Sequence, residues 1–160
     1  MAKAVKTNVL RALDAERIPY ETVTYAVEDG CFDGKLVAGK TGLDPAMIYK
    51  TLVLAAEKNA HLVCVIPVEK ELDLKKVARA AGCKSVAMLP QKELLPLTGY
   101  VRGGCSPLGM KKRFPTYVDR AAAEQERLSV SAGVRGCQVI LRREELLRLA
   151  GGTLADLCQD

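Results

Sequence analysis

Two stretches hold the residue types best suited to chemistry. In Ile48-Tyr49-Lys50-Thr51-Leu52-Val53-Leu54 a single lysine interrupts an apolar run, and in Gly99-Tyr100-Val101-Arg102-Gly103-Gly104-Cys105-Ser106-Pro107-Leu108-Gly109 glycines alternate with polar residues. A strand period of two places Ile48, Lys50, Leu52 and Leu54 on one face and Tyr49, Thr51, Val53 and Ala55 on the other. An ammonium group among apolar neighbours is costly to desolvate alone. Lys50 is therefore expected to border a cavity, pair with an acid or meet an anionic ligand, with an aggregation-blocking edge lysine as the plainer alternative. Gly103-Gly104 leaves main-chain amides uncovered, so that a carbonyl or phosphate can approach closely, as in an oxyanion hole. A tight structural turn is the alternative. The segment lacks the spacing of a phosphate-binding P-loop or a dinucleotide fingerprint.

A nucleophile with its base is harder to find. The chain has one histidine, His61, which opens an apolar run and is expected at a strand end, so Ser106 and Ser131 have no other imidazole to call on. Cys105 is read as a small packed thiol. The six cysteines, Cys31, Cys64, Cys83, Cys105, Cys137 and Cys158, form no close pairs, which fits reduced thiols and argues against a disulfide framework or a zinc site. No metal or cofactor is expected. The net charge of +5, with clusters at Lys75-Lys76-Arg79 and Lys111-Lys112-Arg113, favours a polyanionic partner, while 4% aromatic residues and no tryptophan leave little for a base-stacking platform. The sequence shows neither a long apolar span nor a signal-peptide core, so a cytoplasmic protein without membrane contact is expected.

With 160 residues, 49% hydrophobic, the chain is expected to form one domain spanning 1–160. Val5, Val9 and Leu13 mark an opening helix that stops before Pro19, and Tyr20 to Val27 reads as a strand that turns the Tyr25 ring inward, followed by a turn at Glu28-Asp29-Gly30. Asp44-Pro45 starts a short helix. The Lys50 strand and the strand from His61 to Val68 form an antiparallel hairpin, the second being apolar on both faces and so central. Asp73 caps a helix that ends at Gly82, Ser85 to Leu89 is a short strand, and Pro90 to Leu95 is a helical turn. Thr116 to Asp119, Leu128 to Ser131 and Cys137 to Leu141 are strands, the last two joined by a hairpin loop, before a final helix from Arg143 to Leu149 that stops at Gly151-Gly152. The pattern predicts an α+β fold with a curled or barrel-like, mixed but mostly antiparallel β-sheet flanked by helices.

The order of these features resembles the YbaK/EbsC-like bacterial editing proteins, Cys-tRNA(Pro) deacylases related to the editing domain of prolyl-tRNA synthetase. The resemblance rests on Thr24-Tyr25, Phe32, Tyr49-Lys50-Thr51-Leu52, Leu72-Asp73-Leu74-Lys75-Lys76-Val77-Ala78, the loop from Gly99 to Gly109, Lys111-Lys112-Arg113, and Val130-Ser131-Ala132-Gly133 with Arg135-Gly136. It implies hydrolysis of cysteine mischarged onto tRNA(Pro), with the acceptor end of the aminoacyl-tRNA as substrate and prolyl-tRNA synthetase as partner. By the same resemblance Lys50 is the key pocket residue, and Gly103 and Gly104 supply backbone donors. Tyr25, Phe32, Thr51, Ser106, Ser131 and Gln138 contact substrate. Two departures are visible: Cys105 replaces an aliphatic residue, and Gln138 stands where the family carries an aspartate, which removes one expected partner of Lys50. The family also implies that the substrate's own thiol attacks its ester. Alternatives are removal of another small amino acid, such as alanine, from tRNA(Pro), and a non-catalytic module that grips tRNA or the synthetase.

Overall fold

The computed structural model describes residues 6–27 and 35–160. Phe32, Val5 and the turn expected at Glu28-Asp29-Gly30 lie outside the described residues. Eight strands and five α-helices are present among them: α1 (Asn8–Ala15), β1 (Glu21–Thr24), α2 (Lys35–Thr41), β2 (Tyr49–Ala56), β3 (His61–Pro67), α3 (Leu74–Ala81), β4 (Val86–Met88), α4 (Gln91–Thr98), β5 (Thr116–Asp119), β6 (Arg127–Ser131), β7 (Cys137–Arg142), α5 (Arg143–Ala150) and β8 (Gly152–Ala155).

Helix α1 forms where Val9, Leu10 and Leu13 recur on one face and Thr7 caps the start, its hydroxyl accepting from the Leu10 amide. The same hydroxyl donates to the Ala132 carbonyl at 2.6 Å, tying the helix to the loop between β6 and β7. Asp73 caps α3 by accepting from the amides of Lys75 and Lys76, and Gly82 ends the helix in the left-handed region. The opening helix, the β2–β3 hairpin, the central place of β3, and the cap and stop of α3 all follow the sequence expectations.

The strands divide into a three-stranded sheet, β1-β7-β6, and a five-stranded sheet, β4-β2-β3-β5-β8. Pairing is antiparallel except at β3–β5 and β5–β8, so the mixed, mostly antiparallel character is as expected. Among the described residues, one isolated parallel bridge, between Ile48 and Ser129, pairs the two sheets through their backbones. They do not close into a barrel. From that bridge to β4, which pairs with β2 only over Leu54–Ala56, the outer edge of β2 has no neighbouring strand among the described residues.

Alternation along β2 sorts its side chains into separate packing groups. Tyr49 and Val53 join the main core with Val63, Val65, Val118 and Val139, whereas Leu54 packs with Cys64, Ile66 and Leu157 on the other side. Three elements differ from the sequence reading. Helix α4 runs to Thr98 although Pro96 lies inside it, because the missing N–H falls in the last turns and Thr98 returns its hydroxyl to the Leu94 carbonyl. Helix α2 was not anticipated, since Gly39 weakens its pattern. Strand β8 was hidden behind Gly151 and Gly152, which were read only as a helix stop, and it pairs in parallel with β5.

Asp119 anchors this last addition. Its buried carboxylate accepts from the Leu157 amide at 3.1 Å and the Ala121 amide at 3.1 Å. Asp119→Ala leaves both donors without their acceptor and is expected to lower unfolding free energy by roughly 2 kcal/mol, measured by urea denaturation. A loss indistinguishable from zero would show that water replaces the carboxylate there.

Candidate functional site

The gap along β2 is filled by a cavity of about 750 Å³. Four segments build its walls: the end of β1 with Tyr25 and Val27, helix α2 with Leu36 and Lys40, the β4–α4 corner with Met88 and Leu94, and the glycine loop with Arg102 and Gly103. The strand itself contributes Lys50 and Thr51, and the three-stranded sheet contributes Ser131 and Gln138. These last two are register partners on β6 and β7, which is why they reach the cavity together.

The backbone of β2 explains why this edge stays available. The Leu89 amide donates to the Val53 carbonyl, and the Val63 amide turns away to Pro115, so Val53 directs its peptide groups away from β3. Thr51 lies two residues earlier and has the same orientation. Its peptide groups therefore face the cavity side. The Thr51 hydroxyl is buried without a protein partner, as is that of Tyr49, whose pKa burial raises well above the ordinary phenol range.

Lys50 sits within the wall with 24% of its side chain exposed, and its Nζ lies 3.8 Å from Oε1 of the more exposed Glu71. The cavity-lining lysine and the acid partner expected for an ammonium on an apolar strand are both present. Glu71 was not singled out in the sequence; it follows β3, whose antiparallel return brings it back toward the start of β2. Gln138 does not act as the acid. Its Oε1 accepts from the Ser129 hydroxyl at 2.9 Å, while the Ser131 hydroxyl accepts from the Gly133 amide at 3.1 Å.

The glycine loop divides the two roles first assigned to Gly103 and Gly104. Gly103 lines the cavity in the left-handed region at φ 86°. Gly104 is buried behind it, and its amide is committed to the Val101 carbonyl at 2.9 Å, so it is corrected from a donor to a packing position. A Cβ at Gly104 would come within 3.1 Å of the Arg135 nitrogen and the Val134 carbonyl carbon. The amides of Gly103 and Cys105 donate to no protein acceptor among the described residues, which makes them the remaining candidates for an oxyanion. Ser106 is also corrected. It is fully buried, accepts from the Leu108 amide, and does not line the cavity.

Cys105 lines the cavity while packing partly against the main core. Burial pushes its thiol up to about 12, opposite to what a thiolate nucleophile requires. His61 is remote from this chemistry, its ring edge-on to Phe114 at 5.9 Å. No group of three or more His, Cys, Asp or Glu side chains suited to a metal ion occurs among the described residues, and no helix there is long and apolar enough to cross a membrane.

The sequence pattern of the aminoacyl-tRNA editing domain matches residues 31–149. The chain belongs to the aminoacyl-tRNA editing domain family. Within the family's wider relatives, it is 43% identical over 152 residues to a protein of Enterococcus faecalis named "Putative Cys-tRNA(Pro)/Cys-tRNA(Cys) deacylase EbsC", covering 95% of this chain and 93% of that one. Solved structures share this fold, among them two that superpose closely on the chain. One, titled "Crystal structure of a putative trans-editing enzyme for prolyl tRNA synthetase", superposes with a TM-score of 0.83 at 23% identity over 100% of both chains. The other, a scaffold protein from work on epitope grafting by computational design, has a TM-score of 0.85 at 24% identity over 99% of both chains.

Two outcomes follow from this geometry of the editing domain. Gly104→Ala forces the glycine loop off the Val134–Arg135 backbone and is expected to cost about 1 to 3 kcal/mol of stability, read by chemical denaturation. The Cys105 thiol is expected to alkylate on the order of 100-fold more slowly than free cysteine at pH 8, with the rate still climbing above pH 10 because its pKa lies near 12. Mass-spectrometric labelling rates check this, and a plateau near pH 8.5 would refute it.

Proposed function

We propose that the protein is an aminoacyl-tRNA deacylase that clears cysteine mischarged onto tRNA(Pro). The observation that carries this reading is the convergence of Lys50, Thr51, Tyr25, Ser131 and Gly103 on one cavity, which has room for an aminoacylated nucleoside. An aminoacyl ester is already activated, so positioning and stabilisation of developing charge suffice without a protein nucleophile.

In this mechanism the Lys50 ammonium, steadied by Glu71, orients the terminal ribose or its phosphate. The amides of Gly103 and Cys105 meet the ester carbonyl oxygen as negative charge grows on it. The sulfur of the bound cysteine attacks its own ester carbon, the bond to the ribose oxygen breaks, and the thiol proton passes to that leaving oxygen. Water then opens the released thiolactone. Thr51, Ser131 and Gln138 line the recess for the amino acid, and Tyr25 closes its side. Prolyl-tRNA synthetase is the expected partner, since it produces the mischarged tRNA.

The chemistry of selection also favours cysteine over the alanine alternative. Small differences in side-chain size contribute only about 1 to 3 kcal/mol in a pocket, and a cavity of about 750 Å³ is not shaped to a single small side chain. A reacting thiol supplies discrimination that packing does not.

The decisive measurement is deacylation of tRNA(Pro) charged separately with cysteine, alanine and serine. Cysteine is expected to be removed fastest, and Lys50→Ala is expected to lower that rate by on the order of 100-fold with an unchanged melting temperature. Equal rates on alanine would move the reading to the other amino acid. Retained tRNA binding with no ester loss on any substrate would favour the binding-module alternative.

A further inference from the structure

We propose that Tyr100, which does not line the cavity, is a positioning residue for the reaction: its hydroxyl braces the glycine loop and so holds the amides of Gly103 and Cys105 in place to meet the ester oxygen. The inference rests on the deacylase reading. The bond from the Tyr100 hydroxyl crosses the loop from one leg to the other, donating to the Leu108 main-chain carbonyl at 2.5 Å. Gly103 and Cys105 both lie on the stretch that this bond spans.

The base of the loop is closed as well. The Lys111 amide donates to the Thr98 carbonyl at 3.1 Å, so the chain leaves the end of α4 and returns beside it. The Thr98 hydroxyl accepts from the Tyr100 amide at 3.0 Å while donating to the Leu94 carbonyl at 2.7 Å, and Leu94 is itself part of the cavity wall. Hydrogen bonds therefore run from that wall through Thr98 and Tyr100 to the far leg of the loop. A surface loop whose ends meet and whose interior is filled by its own side chain packs as a compact unit.

The surroundings are shaped to this ring. Tyr100 is 7% exposed and belongs to the main core. A Cβ at Gly109 would lie 2.8 Å from its hydroxyl, and one at Gly133 would lie 3.2 Å from its Cε1, so glycine at both places leaves the room that the ring occupies. Phenylalanine would fill the same space. What the hydroxyl adds is a donor for Leu108, and burial, which pushes its pKa up to about 12, keeps it protonated. Without it the Leu108 carbonyl loses this donor, and the stretch carrying Gly103 and Cys105 loses its cross-brace. Donors that stabilise developing charge act where the oxygen will be, and a displacement of about 1 Å can cost on the order of 100-fold in rate. In the proposed mechanism the brace thus bears on turnover, while Lys50 and the cavity walls bear on binding.

The test compares Tyr100→Phe with the wild type and with Asp119→Ala, a destabilising change outside the cavity. On Cys-tRNA(Pro), well below the melting temperature, Tyr100→Phe is expected to lower kcat about tenfold and to move KM less than twofold. The Gly104 amide, bonded to the Val101 carbonyl, is expected to exchange with deuterium about tenfold faster in this variant, read by NMR. Asp119→Ala is expected to leave kcat and KM within twofold of wild type. A fall in kcat shared by both variants would assign the effect to lost stability and overturn the proposal. So would an unchanged kcat for Tyr100→Phe beside an active wild type, or an unchanged Gly104 exchange rate. A wild type that cleaves no cysteinyl ester removes the deacylase reading instead; faster exchange in Tyr100→Phe would then keep the brace, and its catalytic role would fall with that reading.

Discussion

The open stretch of β2, between its bridge to Ser129 and its pairing with β4, is the constraint on which the site depends. A sheet that closed along this edge would bury the outward peptide groups of Thr51 in a ladder and leave no space beside Lys50. The chain instead joins its two sheets by one isolated bridge, packs them against a shared core, and walls the opening with side chains from four separate segments. Unpaired strand edges usually invite pairing with another strand. Here the edge is recessed beneath α2, α4 and the glycine loop, so a small terminus can reach it more easily than a second β-strand.

That recess is shaped by close backbone packing on one wall. Gly104 abuts Val134 and Arg135, while Gly136, at φ 84°, leaves 3.0 Å between its missing Cβ and the Tyr25 carbonyl. The Tyr25 amide donates to the Gly136 carbonyl at 2.9 Å, completing the contact. The end of β1, the β6–β7 loop and the glycine loop thus stack through main chain rather than side chain. Their spacing is set by a main-chain hydrogen bond and close van der Waals contact between backbones, which leaves that wall little freedom to shift.

Much of this was legible from the residues. The alternation around Lys50 gave its face and its proximity to a cavity, because period two is a strong local signal. The caps at Thr7 and Asp73 are likewise local. What local signals do not encode is which side of a glycine pair faces a ligand: the sequence treats Gly103 and Gly104 alike, and only the turn bond from Gly104 to Val101 separates them. Ser106 was misplaced for the same reason, since its inward direction depends on how the loop folds over Leu108. Glu71 was missed because its partner, Lys50, lies 21 positions earlier along the chain. Strand β8 had no comparable signal, being four residues long and dependent on β5 for its pairing.

The balance of polar and apolar groups in the cavity bears on how an editing domain can be selective without a tight fit. Leu36, Ile48, Leu52 and Met88 give the recess aliphatic walls that accept many small side chains, and the open edge makes the space larger than cysteine requires. A wall of this kind rejects bulk but cannot separate residues that differ by one atom. In the proposed mechanism, selectivity comes from a step that only the correct substrate performs. Desolvation of Cys105 keeps the protein's own thiol protonated at neutral pH, so it is a poor nucleophile for an ester carbon. The same aliphatic surroundings that make the pocket permissive therefore keep the protein's own sulfur inert, which is compatible with the proposed mechanism, in which the attacking sulfur arrives with the substrate.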